Sequence, residues 1–94
     1  MFTIDQADVK YKETRRGIVA TAPILKDGVL FATLEDTPEQ IVAPVFFEPG
    51  CDQELFLQDA RAKGRKEESE LLCISEHARA LLAQAEDKLL KHYK

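Results

Sequence analysis

The first half of the chain shows the apolar alternation with a period of two that is typical of β-strands. Two apolar runs, residues 18–25 and 29–34, lie on either side of the dipeptide Asp27-Gly28. A two-residue type I′ turn requires positive φ at both central positions, and Asp-Gly tolerates this conformation. The sequence therefore predicts a β-hairpin. In its second strand the alternation separates two faces, with Val29, Phe31 and Thr33 on one and Leu30, Ala32 and Leu34 on the other.

A third run, residues 40–48, follows a polar loop and contains Pro44. Proline cannot donate to a β-ladder, so it is expected on edge strands or at bulges. Because Pro23 and Pro44 lie in the first and third runs, the proline-free run 29–34 is predicted to be the strand between them. Alternation in the third run places two sets of residues on opposite faces: Ile41, Ala43, Val45 and Phe47 on one, and Val42 and Phe46 on the other.

A fourth, short strand is predicted around residues 9–12, with Val9 and Tyr11 on the same face. It would pair with the first run through a turn at residues 14–17. In that arrangement Pro23 has to lie at a strand end or at a bulge, since its nitrogen cannot donate.

The second half begins after Pro49-Gly50 and has helical character. Asp52 is a suitable N-cap, Glu54 favours the helix dipole in the first turn, and Gly64 is a natural stop, which predicts a helix over residues 53–63. Its apolar stripe consists of Leu55, Phe56, Leu57 and Ala60, whereas Gln58, Asp59, Arg61 and Lys63 are expected to face water.

The last segment has the strongest helical periodicity. From Ser75 onward, apolar residues recur at spacings of three and four: Ala78, Leu81, Leu82, Ala85, Leu89 and Tyr93. Residues 71–74 allow two interpretations: they extend the stripe backward in one helix that begins near Lys66, or they form a buried strand before a new helix. We favour the strand followed by a helix, because Ser75 is a good N-cap and Glu76 follows it directly.

Together these elements predict an α+β fold, an antiparallel β-meander of three to four strands packed against a long C-terminal helix, with a shorter preceding helix. The 94 residues are expected to form a single domain, with a β-rich half at 1–49 and a helical half at 50–94. The hydrophobic content of 45% and the charged content of 32% are typical of a folded globular chain.

Charge and targeting signals limit the partners. The net charge of −4 argues against nucleic acid as the main partner. The N-terminal residues lack the features of a signal peptide, and no apolar run approaches the roughly 20 residues that span a bilayer. We therefore expect a soluble, cytoplasmic protein without membrane contact, in which both cysteines are reduced thiols.

Cys73 and His77 are the first candidates for chemistry, because residues four apart on a helix face the same way and both types bind zinc. Cys51 and His92 would complete four ligands, but each is isolated in sequence, whereas structural zinc sites bring ligands in close pairs. We expect instead that Cys73 is a small core residue, that His77 is a surface residue in a first helical turn, and that no cofactor binds. A small zinc or thiol protein using Cys73 and His77 is one alternative function.

A local basic patch suggests a second alternative, a regulator that binds nucleic acid. The patch comprises Arg15, Arg16, Arg61, Lys63, Arg65 and Lys66. No aromatic residue is interleaved for base stacking, and three glutamates follow closely, so the same cations are explained by a solvated helix end.

The sequence predicts no enzyme and no small-molecule substrate. Its four glycines form no cluster, and the Gly-rich, HExxH and GxSxG motifs of phosphate binding, zinc proteolysis and serine hydrolysis are missing. Two helices cover only one side of a meander that is apolar on both, which leaves a face for protein binding by Phe31, Val42, Phe46 and Phe47. We therefore predict a non-catalytic protein-binding module, acting through this apolar sheet face or an edge strand as a homodimer. Its size is typical of adaptors, regulators and inhibitors, including those that viruses and mobile elements encode.

Overall fold

A computed structural model of the chain describes residues 2–37, 40, 42–64 and 69–92, with side chains as far as Asp87. Five strands are described: β1 (Phe2–Ile4), β2 (Lys10–Thr14), β3 (Gly17–Lys26), β4 (Val29–Asp36) and β5 (Val45–Phe47). A short 3-10 turn (Gln6–Asp8) joins β1 to β2, and two helices follow the sheet, α1 (Gln53–Ala62) and α2 (Glu70–His92). Ile41, Arg65, Lys66 and Tyr93 lie outside the described residues, as do the side chains of Leu89 and His92.

The strands form one antiparallel sheet in the order β1-β3-β4-β5, and β2 also pairs with β3. The predicted α+β fold is confirmed, including the position of β4 between β3 and β5. The predicted strand at 9–12 is present as β2, whereas β1 is an addition to the predicted meander. None of the helices in the described part of the chain is long and apolar enough to cross a membrane.

The hairpin between β3 and β4 is closed by the predicted two-residue turn. Asp27 and Gly28 have φ values of 51° and 85°, so both adopt the left-handed conformation that a type I′ turn needs. The prediction succeeded because the required backbone conformation is favoured by these two residues alone.

Pro23 lies in the middle of β3, which is a central strand. This corrects the expectation that Pro23 lies on an edge strand, at a strand end or at a bulge. Strand β2 pairs with β3 as far as Thr21, and β1 pairs with it from Ile24 onward. Pro23 lies opposite the gap between these two partners. Its missing N–H therefore removes no ladder hydrogen bond on that side of the strand.

A β-bulge changes the faces that alternation assigned to β4. Ile24 pairs with Ala32 but Leu25 pairs with Leu30, so Phe31 is an extra residue on β4. Bulges leave one residue unpaired and rotate the strand locally. Both Phe31 and Ala32 are consequently buried, although the sequence pattern placed them on opposite faces.

Helix α2 is continuous from Glu70, so the favoured interpretation of a strand followed by a helix capped by Ser75 is wrong. The helix starts at the other serine, because the Ser69 Oγ accepts a hydrogen bond from the Leu72 N–H at 3.4 Å. Ser75 is buried inside the helix, where its Oγ accepts from the Ala43 N–H at 2.7 Å. Ser75 thus fixes the β4–β5 connection to α2 and does not begin a helix.

Ser75→Ala is expected to lower the free energy of unfolding by about 1–3 kcal/mol, because the buried Ala43 N–H loses its acceptor. The measurements are urea unfolding and hydrogen exchange of the Ala43 amide, which should become faster. Ser69→Ala is the control: it removes a helix cap but should leave the Ala43 amide protected. Equal protection of Ala43 in both variants would contradict the role of Ser75 as a tether.

Helix α1 begins as predicted, since the Asp52 Oδ1 accepts a hydrogen bond from the Glu54 N–H at 3.0 Å. It ends just before Gly64, whose φ of 88° suits a residue that follows a helix. Phe56, Leu57 and Ala60 are buried, as expected from the apolar stripe. Leu55 was assigned to the same stripe but is exposed.

Four of the five phenylalanines form a closed ring of edge-to-face contacts in the core. Phe2 contacts Phe31 and Phe56, and Phe47 contacts the same two rings, with centroid distances of 4.9–6.0 Å. The ring joins β1, β4, β5 and α1, so it links the first and last strands of the sheet to the helical layer. Edge-to-face pairs at this distance stabilise a core beyond the area that they bury.

Candidate protein-binding surface

Both helices lie against the same face of the sheet, which we call the covered face. The Tyr11 hydroxyl donates to the Glu86 Oε2 at 3.1 Å, so β2 presents Tyr11 to α2. Burial and this hydrogen bond raise the pKa of Tyr11. The Arg79 Nε donates to the Asp36 Oδ1 at 3.0 Å, so the end of β4 presents Asp36 to α2 as well. Since side chains alternate along a strand, the neighbours of Tyr11 and Asp36 point away from the helices.

The opposite side of the sheet, which we call the outer face, is built from three rows of cross-strand neighbours and one shorter row. The strand pairing gives the rows Thr3-Leu25-Leu30, Pro23-Thr33-Phe46, Lys10-Thr21-Glu35 and Lys12-Val19. The first two rows are apolar apart from two threonines, and the last two carry charge.

The apolar part of the outer face is open to solvent. Phe46 is 57% exposed and Leu30 is 43% exposed, while Leu25 and Pro23 are half-buried by their neighbours. No helix or connection in the described part of the chain lies over them. Phe46 is also the one phenylalanine that takes no part in the aromatic ring. Large apolar side chains that adjoin one another on a surface are typical of an interaction site.

The predicted protein-binding residues divide between this surface and the core. Phe31 and Phe47 pack inside the aromatic ring and are not available to a partner. The bulge turns Phe31 inward, and Phe47 lies on the covered face of β5. Val42 is exposed, but it lies in the β4–β5 connection and not on the sheet. Phe46 is where the prediction placed it, and Leu30 and Leu25 are the surface residues that the sequence pattern missed.

The outer edge of β5 is a second feature that a partner can use. The Glu35 N–H donates to the Pro44 carbonyl, and the Glu48 N–H donates to the Phe31 carbonyl. Hydrogen-bonding direction alternates along an antiparallel strand, so the backbone groups of Val45 and Phe47 point away from β4. Within the described residues no strand pairs with this edge. With three residues, β5 offers few backbone groups for strand addition, so the outer face is the larger surface available to a partner.

His77 is buried, which corrects its assignment to the surface. Its side chain is 1% exposed, and its Nε2 lies 2.7 Å from the Asp59 Oδ2. Asp59 was expected to face water, but its side chain is 25% exposed and also lies 3.6 Å from the Lys63 Nζ. His77 packs on the Phe56 ring at a centroid distance of 4.9 Å. The pair therefore joins α1 to α2 beneath the sheet.

The remaining metal and thiol candidates do not come together at the outer face. Cys73 is buried and Cys51 is half-buried against the core. In the described part of the chain no three His, Cys, Asp or Glu side chains are grouped to hold a metal ion. The fourth candidate, the side chain of His92, lies outside the described residues.

The basic candidates lie at opposite ends of the sheet. Arg15 and Arg16 form the turn into β3, whereas Lys63 lines a small cavity with Thr3. Thr3 pairs with Leu25, so Lys63 is separated from that turn by most of β3, about 26 Å at 3.3 Å per residue. The four described cations thus do not form one patch, and Arg65 and Lys66 lie outside the described residues.

The outer face combines open apolar side chains with lysines at one side and a glutamate at the other. An apolar area that adjoins charged side chains is typical of a protein-recognition surface. Comparisons of the chain with known family models, curated proteins and solved structures found no match.

Proposed function

We propose that this chain is a non-catalytic protein-binding module of the cytoplasm that uses its outer face for binding and associates first with a second copy of itself. The observation that supports this most is the position of both helices on one face, which leaves Leu30 and Phe46 open on the other. An adaptor, regulator or inhibitor needs such a surface and no catalytic group.

The outer face is large enough for a specific interface. The molecule measures 33 × 29 × 27 Å between Cα atoms, and the sheet extends across it. A stable interface of standard size needs about 800 Å² from each partner. A face of roughly these dimensions supplies that area, and its apolar end supplies side chains that a partner would bury.

The two alternative functions have less support from the geometry. The described candidates for nucleic-acid binding, Arg15, Arg16, Arg61 and Lys63, are divided between the two ends of β3, so these four offer no continuous path for a phosphate backbone. Cys73 and His77 are both inside the core, so a thiol reaction there would need a route for its substrate.

We expect the double variant Leu30→Ser/Phe46→Ser to be monomeric where the unchanged protein is a dimer, because the most exposed apolar side chains of the outer face are lost. Sedimentation equilibrium over a wide range of protein concentration, in reductant so that Cys51 forms no intermolecular disulfide, measures the association. At protein concentrations low enough that the unchanged protein is also monomeric, thermal unfolding of the variant should stay close to that of the unchanged protein, since both side chains are exposed.

Leu71→Ser is the matched control. Leu71 is 69% exposed at the start of α2, so this variant removes a leucine that is more accessible than Leu30 from a different surface. It should leave the dimer intact. An unchanged protein that stays monomeric, or a double variant that still dimerises, would contradict the proposed function.

A further inference from the structure

The charges of the outer face are arranged so that they complement a second copy of the same face. Lys10 and Glu35 flank Thr21 in one row, Lys10 on β2 and Glu35 on β4. Neighbouring strands are about 4.8 Å apart, so the backbones of the two residues are about 10 Å apart with β3 between them. Among the described residues neither side chain forms an ion pair. Lys12 continues the basic side along β2.

We infer that the partner on the outer face is a second copy of this chain, packed face to face about a two-fold axis that runs parallel to β3. This inference rests on the proposed function and adds the orientation. Such an axis places β3 of one copy over β3 of the other, and β2 of each copy over β4 of its mate. Lys10 then faces Glu35 of the second copy, and Glu35 faces Lys10, so one complementary pair is made twice.

The other in-plane orientation is disfavoured by the same charges. A two-fold axis perpendicular to the strands would place β2 over β2 and β4 over β4. Lys10 would then face Lys10, and Glu35 would face Glu35. Like charges placed opposite each other at an interface are unfavourable, so the charge pattern selects the axis parallel to β3.

The apolar rows agree with this choice. A rotation about an axis parallel to β3 leaves the position along the strands unchanged. The end of the sheet that carries Leu25 and Leu30 therefore meets the same end of the second copy. Sheets that pack face to face lie about 10 Å apart with strands roughly 30° from parallel. At this separation long Lys and Glu side chains reach across the interface. Leu25 lies on the axis and meets its own copy, Leu30 faces Thr3 of the second copy, and Phe46 on β5 lies at the rim beside the second copy's β2 edge.

Charge reversal tests the orientation. Lys10→Glu alone and Glu35→Lys alone should each raise the dissociation constant of the dimer about tenfold or more, because both reciprocal pairs become like-charged. An equimolar mixture of the two variants should form a heterodimer, because each variant then faces its complement. The double variant Lys10→Glu/Glu35→Lys should dimerise like the unchanged protein. Sedimentation and native mass spectrometry, with a small mass label on one variant, measure all of these.

The outcomes distinguish the orientation of the dimer from the proposed function. Recovery in the mixture and in the double variant supports the orientation. Weaker association in the single variants without recovery would overturn it. Unaffected single variants, together with loss of the dimer in Leu30→Ser/Phe46→Ser, would overturn the orientation but leave the proposed function standing. A monomeric unchanged protein would overturn both. Lys12→Glu, on the same strand but without an acidic residue in its row, is the control and should have a smaller effect.

Discussion

Phe56→Ala is expected to lower the free energy of unfolding by about 3–5 kcal/mol, because truncating a buried phenylalanine loses transfer energy and leaves a cavity. Phe56 is fully buried on α1 and contacts the rings of Phe2, Phe47 and His77. It is the member of the aromatic ring that connects the sheet to both helices. A domain of this size has about 5–14 kcal/mol of total stability, so this single change should remove about a fifth of it or more.

Urea unfolding followed by circular dichroism measures the effect, and Phe46→Ala is the matched control. The chemical change is the same, but Phe46 is exposed on the outer face, so the cost in a monomeric sample should stay below about 1 kcal/mol. Similar losses for the two variants would contradict the assignment of Phe56 to the core and of Phe46 to the surface. The comparison tests whether Phe56 lies in the core and Phe46 on the outer face, and the candidate surface depends on this assignment.

The features that the sequence predicted correctly are those determined by a few adjacent residues. Asp27-Gly28 closes the hairpin because the turn needs two positive φ values, and Asp52 caps α1 through an amide two residues away. The order of β3, β4 and β5 was also predicted correctly, but the proline argument holds only for Pro44, which precedes the edge strand β5, because Pro23 lies in the central strand β3.

The features that the sequence did not predict depend on residues far away in the chain. The bulge at Phe31 depends on how β4 pairs with β3, and no local signal distinguishes it from regular alternation. Ser75 is a good N-cap by type, yet its hydroxyl binds the Ala43 amide, which is 32 residues earlier. Side-chain chemistry allowed both roles, and the tertiary structure decided between them.

The burial of His77 could have been predicted from the helical period, but the favoured interpretation of a strand followed by a helix set this period aside. In a continuous helix, position 77 lies four residues after Cys73 and four before Leu81, both of which are buried. The helical period thus places His77 on the apolar stripe. The choice of Ser75 as a cap moved it into a first turn. Its partner Asp59 lies three residues after Phe56 on α1, so the same period places it beside the core.

Asp59→Ala is expected to lower the free energy of unfolding by about 2–3 kcal/mol, because the buried His77 Nε2 loses its acceptor. The two atoms are 2.7 Å apart, and His77 has almost no contact with water that would replace the lost bond. The Asp59 side chain is 25% exposed, and this partial solvation places the expected loss of stability nearer the lower end of the range. Urea unfolding near neutral pH measures the loss, and Gln58→Ala, an exposed change at the adjacent position of α1, should cost less than about 0.5 kcal/mol.

A double-mutant cycle separates the hydrogen bond from packing. His77→Leu removes the polar atom while it keeps a side chain of similar volume, so in that background Asp59→Ala should cost much less than in the unchanged protein. The difference between the two costs is the coupling energy of the pair, expected to be about 1–3 kcal/mol for residues in direct contact. Equal costs in both backgrounds would show that Asp59 stabilises α1 through its contact with Lys63 and not through His77. A large coupling would identify the pair as the polar link that fixes α1 against α2, and so fixes both helices on the covered face of the sheet.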